Sequence, residues 1–208
     1  MNNYSANNET ISLHLMELLR YVNAEKRVYR KNDVITDSGE NQSYIGLLSK
    51  GLAYLVSINS VGEKNILDYY QSGEVIGSPF FPHKYVNLYY ITARTDCNIY
   101  ICSYQELMNL CKNEPQKYAD PINRLILSMI VREQTHTDIL SQRTIRNKLL
   151  TYFRYIAENN GSTEISLPMT LADVADYISV DRSAMMREIK KMNADNIICS
   201  KGQKITLL

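Results

Sequence analysis

Residues 169–208 read MTLADVADYISVDRSAMMREIKKMNADNIICSKGQKITLL, and this stretch decides the fold. Thr170 stands before LADVADYI as a helix N-cap would. Leu171, Val174, Ala175 and Ile178 then recur on one face at helical spacing. Ser179 and Val180 make a short break. Asp181 is placed to cap a second helix, with Ala184, Met185, Ile189 and Met192 as its inward stripe. The other face carries Arg182, Ser183, Met186, Arg187, Lys190 and Lys191. Asn196 is placed to end the helix, because Asn tolerates the left-handed conformation. IICSKGQKITLL alternates around Lys-Gly-Gln-Lys, which reads as a small hairpin. Two short helices with a tight turn, then a basic-tipped hairpin, have the layout of a winged helix-turn-helix, a DNA-binding device. Exposed Arg and Lys also occur on any solvated face, so the rest of the chain has to supply the context.

Working outward, 208 residues with 45% apolar content suffice for one large domain or two small ones with a proper core. No apolar run approaches the roughly 20 residues of a membrane span. The start, MNNYSANNET, lacks the basic-then-apolar pattern of a signal peptide, so a cytoplasmic protein is expected. The net charge of +1 does not advertise nucleic-acid binding. Its distribution says a little more. From Ser141 onward ten Lys/Arg face seven Asp/Glu, a net +3, while residues 1–140 carry thirteen and fifteen, a net −2. A local basic face is sufficient for a helix-turn-helix. Cys97, Cys102, Cys111 and Cys199 contain no CxxC pair, which reads as buried reduced thiols rather than a zinc or iron–sulfur site.

Upstream, residues 9–21 suggest a short amphipathic helix with Leu15, Leu18 and Leu19 inward. From Lys26 the pattern changes. Gly39, Gly51, Gly62 and Gly73 recur every eleven or twelve residues, separating the runs SYIGLLS, LAYLVSI and NILDYY, with LYYITA and NIYIC beyond. Turns at that spacing between short strands predict a β-roll or barrel. SYQELMNLCKN then turns helical, with Ser103 and Glu106 at capping-box spacing. A long helix is predicted over 121–141, with an imperfect heptad seam at 122, 125, 129, 132, 136 and 139, and dimerisation is favoured over packing on its own barrel. A second helix, RTIRNKLLTYFRYIAEN, has Leu149, Leu150, Phe153 and Ile156 on one side and ends at Asn159, Asn160, Gly161 and Ser162. A boundary is expected near Gln142, and ISLPM reads as a brief extended segment. The domains expected are 1–120, 121–141 and 142–208.

A glycine-punctuated barrel, a long helix and a C-terminal winged helix-turn-helix resemble the Crp/Fnr family of bacterial transcription regulators. The likeness covers nearly the whole chain. KNDVITDSGE, LLSKGLAYLVS and YYQSGEVIGSPFF carry it in the barrel, and TLADVADYISVDRSAMMREIKKMNADNIICSKGQKITL in the DNA part. The resemblance implies an α+β chain: a cyclic-nucleotide-binding-like double-stranded β-helix or jelly roll, a dimerisation helix and a winged helix-turn-helix. It also implies a homodimer on double-stranded DNA, with RNA polymerase as a further partner of an activator.

The departures from the family pattern bear on the effector. Members that bind cyclic AMP carry an Arg-Ser or Arg-Thr pair a dozen or so residues after the barrel's Gly-Glu. Here Gly73 and Glu74 are present, but the corresponding region reads Tyr85, Val86, Asn87, Leu88, Tyr89. A cyclic phosphate needs a cation or a nest of donors, so cyclic AMP is not expected. The candidate effector residues remain Gly73, Glu74, Asn87, Leu88 and Tyr89. An iron–sulfur cluster is not expected, because no Cys precedes Cys97. A heme reading rests on His83 alone, and a lone His in a loop is more often simply exposed.

In the recognition helix, Arg182 and Arg187 are assigned to guanine or phosphate, and Ser183 to a base edge in place of the common Glu. Met186 and Lys190 share that face. Thr170, Lys201 and Lys204 are assigned to phosphates. Ser179 and Asn196 stand where relatives usually have glycine. A cupin-like enzyme is the rival, but His14, His83 and His136 put a single His in the barrel, and no Gly-rich phosphate loop or Ser/His/Asp set is present. A ligand-binding protein without DNA contact is the second rival, opposed by the intact basic face.

Overall fold

The computed structural model describes residues 19, 21–37, 44–77 and 88–208, with the backbone alone at 121, 124, 125, 128 and 129. These residues form two compact units that divide between Ile126 and Leu127. The helix expected over 9–21 lies outside the described residues, apart from a buried helical Leu19 and Tyr21.

The first unit is built on eight strands: β1 (Glu25–Tyr29), β2 (Val34–Asp37), β3 (Tyr44–Lys50), β4 (Leu52–Ile58), β5 (Lys64–Gln71), β6 (Val75–Gly77), β7 (Leu88–Ala93) and β8 (Cys97–Ser103). They make two antiparallel four-stranded sheets ordered β1-β8-β3-β6 and β2-β7-β4-β5. This is an eight-stranded jelly roll. Period-two alternation supplies its core. On β7, Tyr89, Ile91 and Ala93 are buried, and on β8, Cys97, Ile99 and Ile101. Both sheets feed one cluster that also holds Ile35, Leu48, Leu55, Tyr70 and Ile76.

Of the four spaced glycines, Gly39 lies outside the described residues and the other three fall at strand joints. Gly51, Gly62 and Gly73 all have positive φ. Gly51 is the most constrained. At φ +108, a Cβ there would lie 2.5 Å from the Asp96 carbonyl oxygen and 2.7 Å from Cys97 Sγ. No side chain fits, so the β3–β4 joint requires glycine.

After β8 come α1 (Tyr104–Asn113) and α2 (Pro115–Ser141). Two expectations need correction here. Ser103 stands at the N-cap of α1, yet its side chain makes no capping hydrogen bond. The long helix begins at Pro115, not Pro121. Pro115 occupies the first helical position, where its missing N–H costs nothing, and Pro121 is carried inside the helix.

The second unit contains the end of α2, α3 (Ile145–Asn160), β9 (Glu164–Ser166), α4 (Leu171–Tyr177), α5 (Arg182–Ala194), β10 (Ile198–Lys201) and β11 (Lys204–Leu207). Strand order is β10-β11-β9. Thr144 caps α3 by accepting from the Asn147 N–H, and Gly161 in the left-handed conformation ends it. Leu149, Tyr152, Phe153 and Ile156 of α3 are buried, as are Val174, Ala175, Tyr177 and Ile178, Met185, Ile189 and Met192, and Ile165, Ile198 and Ile205 of the small sheet. Each buried Val, Leu, Ile, Phe or Met among these contributes roughly 1.5–3 kcal/mol.

The cysteines are all free. Cys97 and Cys102 are buried, but Cys199 is exposed on β10, against the expectation that the thiols are buried. Among the described residues no helix is long and apolar enough to cross a membrane.

Candidate nucleic-acid interface

The second unit sets α5 between two well-formed turns. Thr170 Oγ1 accepts from the Asp173 N–H at 3.2 Å and donates to Asp173 Oδ2 at 2.7 Å. That cap starts α4. At its end Ser179 adopts φ +53, its N–H donates to the Asp176 carbonyl, and the Val180 N–H donates to the Ala175 carbonyl. The paired bonds are a Schellman motif. Asp181 then caps α5, its carboxylate accepting from the Ala184 N–H at 2.7 Å. The same motif closes α5. Asn196 has φ +54, its N–H donates to the Asn193 carbonyl, and the Ile197 N–H donates to the Met192 carbonyl. Both positions where relatives usually place glycine are therefore left-handed here.

Met185, Ile189 and Met192 fix the rear of α5 in the core. Arg182, Ser183, Met186, Arg187, Lys190 and Lys191 are all exposed on the other side. The helix's one acidic residue, Glu188, is drawn away from that face. Arg146 Nε on α3 lies 2.6 Å from Glu188 Oε1, and Arg146 Nη2 lies 2.8 Å from Asp195 Oδ2. On α4, burial and the neighbouring Asp173 hold the Asp176 carboxyl above its ordinary value, against a smaller opposing pull from the Arg182 guanidinium at the start of α5. The exposed face is thus cationic with one apolar side chain.

The hairpin is held to α5 by contacts the sequence reading missed. Asn193 Nδ2 donates to Ser200 Oγ at 2.8 Å and to the Ile189 carbonyl at 2.7 Å. Asn193 Oδ1 accepts from the Ser200 N–H at 2.8 Å. Gln203, in the two-residue loop, donates to the Met169 carbonyl at 2.7 Å. Lys201 and Lys204 pair across that loop and are exposed. Two further side chains cover carbonyls at the end of α4. Lys148 Nζ donates to the Ile178 carbonyl at 2.9 Å, and His136 Nε2 lies 2.9 Å from the Tyr177 carbonyl with its ring stacked on Tyr177. Asn193, a poor helix former on the side of α5 facing β10, was the available signal for this network.

Thr170 is less free than expected. Its hydroxyl is committed to Asp173, so a phosphate would have to compete with that carboxylate.

The candidate effector residues are not gathered. Gly73 donates to the Leu48 carbonyl at 2.8 Å, the Glu74 carbonyl accepts from the Leu48 N–H, and the Glu74 carboxylate accepts from the Gln71 N–H at 2.5 Å. These two residues form the β5–β6 joint. Register sets Gln71 against Leu52 at one end of β4, and Leu88 against Ile58 at the other. Leu88 and Tyr89 therefore start β7 roughly 20 Å along the sheet from Gly73 and Glu74. Leu88 is exposed and Tyr89 buried. Asn87 and His83 lie outside the described residues. Among the described residues, no three His, Cys, Asp or Glu come together as a metal site.

Residues 26–114 match the family described as cyclic nucleotide-binding domain, and residues 147–208 match the Crp-like helix-turn-helix domain. The transcriptional activator protein FnrL of Cereibacter sphaeroides is 21% identical over 92% of this chain and 78% of its own length. The regulatory protein HlyX of Actinobacillus pleuropneumoniae is 24% identical over 95% of this chain and 84% of its own. Among solved structures, a cyclic nucleotide-binding domain containing protein from Listeria monocytogenes has a TM-score of 0.74 at 16% identity. It covers 93% of this chain and 97% of its own.

Proposed function

The chain belongs to the Crp/Fnr family of transcription regulators, and from that premise we propose that it is a cytoplasmic homodimer reading a two-fold operator through α5. The observation that carries the reading is the exposed row Arg182, Ser183, Met186, Arg187 and Lys190 on a helix capped at both ends and buried along its rear. A helix so presented enters the major groove, with base edges read near its start. Arg182 and Arg187 take guanine or phosphate, and Ser183 a base edge. Lys201 and Lys204, with Thr170 as a weaker contributor, meet phosphates.

Residues 1–120 sense the effector, 121–141 pair the two copies and 142–208 contact DNA. The effector is not cyclic AMP. No arginine occurs between Glu74 and Ala93, so the chain offers no guanidinium for a cyclic phosphate there. Neither an iron–sulfur cluster nor heme is assigned. An effector acts by binding two arrangements of the long helices unequally, re-spacing the recognition helices. If the regulator activates, RNA polymerase is its next partner. No catalysis is assigned.

The test is duplex binding by the full chain at matched salt. Arg182→Ala and Arg187→Ala should each weaken the selected operator by about tenfold or more, from roughly 1–3 kcal/mol per bidentate base contact. Parent-like binding by both variants would remove α5 from the interface.

A further inference from the structure

The outward row of α5, Arg182, Ser183, Met186, Arg187, Lys190 and Lys191, contains no carboxylate. Glu188, the helix's one acidic residue, is held by Arg146 at 2.6 Å, and Asp181 at the cap turns one carboxylate oxygen to the Ala184 N–H at 2.7 Å. Cytosine is commonly read in the major groove by a carboxylate accepting from its amino group, and this row offers only the Ser183 hydroxyl as an acceptor there. What it has instead is Met186, 41% exposed on an otherwise polar surface. Met186 lies one helical turn from Arg182, Ser183 and Lys190, at spacings of four, three and four residues, so it shares their outward direction. Exposing a methionine to water beside these three polar neighbours gains nothing for the fold, whose core is filled by Met185, Ile189 and Met192.

We propose that Met186 is a specificity-determining residue that packs on the 5-methyl group of a thymine, one turn along the groove from the base contacted by Ser183. The thymine methyl is the one apolar group on the major-groove edges of the base pairs. A flexible thioether suits a contact that must adapt to it. This rests on the reading of α5 as the recognition helix, and extends it to the base chosen.

The experiment enriches a randomised duplex pool on the full-length parent protein. It then replaces individual thymines of the selected sequence by deoxyuridine, which removes the methyl and leaves the pairing edge. One position per half-site should show about fourfold weaker binding by the parent, the worth of one buried methyl. Met186→Leu should retain that difference, and Met186→Ala should reduce it to less than twofold while binding deoxyuridine and thymine duplexes alike. A parent indifferent to deoxyuridine at every selected thymine would overturn the proposal while leaving DNA binding intact. So would a methyl effect that Met186→Ala preserves. Enrichment of no sequence at all would overturn the recognition-helix reading itself, and the thymine contact with it.

Discussion

Arg146 bridges two carboxylates on the rear of the recognition helix, Glu188 at 2.6 Å and Asp195 at 2.8 Å. One carboxylate lies in the helix's middle and the other at its C-terminal cap, so the guanidinium sets both the position and the end of α5 against α3. Glu188 is the better shielded of the two. Arg146→Ala should lower the melting temperature and weaken operator binding together, because it leaves Glu188 unpaired and frees α5 to shift against α3. Glu188→Gln in the same chain should recover part of both losses. A double-mutant cycle measured by thermal melting and fluorescence anisotropy checks this. Strictly additive effects would show that the ion pair does not couple the helices.

Ser179 and Asn196 hold left-handed conformations at the ends of α4 and α5. A Cβ in that region costs about 1–2 kcal/mol for most residues, and less for Asn. Ser179→Gly should therefore stabilise the chain by about 1 kcal/mol, and Asn196→Gly by a smaller amount. Ser179→Val should destabilise by about 1–2 kcal/mol, since a β-branched side chain tolerates this conformation poorly. Urea denaturation midpoints of the full chain decide the sign. A stabilising Ser179→Val would contradict the assigned backbone.

The DNA-binding half was the more legible part of the sequence, because caps and periodicity agree there. Thr170, Asp181 and Asn196 mark the ends of helices whose inward stripes were already visible. The barrel was legible in its glycines and in β3, β4, β5, β7 and β8. Strand β1, EKRVY, was not, because it is largely exposed and shows no apolar alternation. β6 is three buried residues, too short for any period. Pro121 hid the start of α2, since proline ordinarily marks a first turn rather than an interior. Of the fastening residues, Asn193 left only its poor helix propensity as a signal, and Arg146 and Gln203 left none, because their partners lie 34 to 49 positions away in sequence.

The thiols separate by environment. Burial, with a smaller push from Glu106, raises Cys102 from 9.0 to about 11, and burial also raises Cys97 and Cys111. Cys199 is exposed. In the native chain at pH 7, a disulfide reagent should label Cys199 first and Cys97 and Cys102 only on unfolding. The linkage sign follows from the raised folded value. The protonated Cys102 thiol favours the fold, so its contribution is complete below pH 9 and is lost as pH rises toward 11. Parent and Cys102→Ala should diverge across that window, the parent losing about 2 kcal/mol more by pH 11. Parallel curves would mean that Cys102 is hydrated in the native state.

The long helix carries the last prediction. The seam expected at 122, 125, 129, 132, 136 and 139 does not remain free along its length. Ile139 is fully buried within its own unit, and His136 is stacked on Tyr177. Among the described side chains of α2, the exposed apolar ones are Ile126 at 47%, Leu127 at 59% and Ile130 at 46%, nearer its middle, and Leu140 at 38% near its end. Leu127 and Ile130 lie three residues apart on one face of the helix within the second unit, so a second copy has an apolar surface to meet there. Removing one such side chain from water contributes about 1.5–3 kcal/mol, which makes about tenfold or more in the dissociation constant of a dimer. Leu127→Glu and Ile130→Glu should each shift sedimentation equilibrium of the full chain from dimer to monomer. They should weaken binding to a two-fold operator while leaving an isolated half-site nearly unchanged, because α5 is untouched. Dimers that persist in both variants would place the pairing surface elsewhere on the chain.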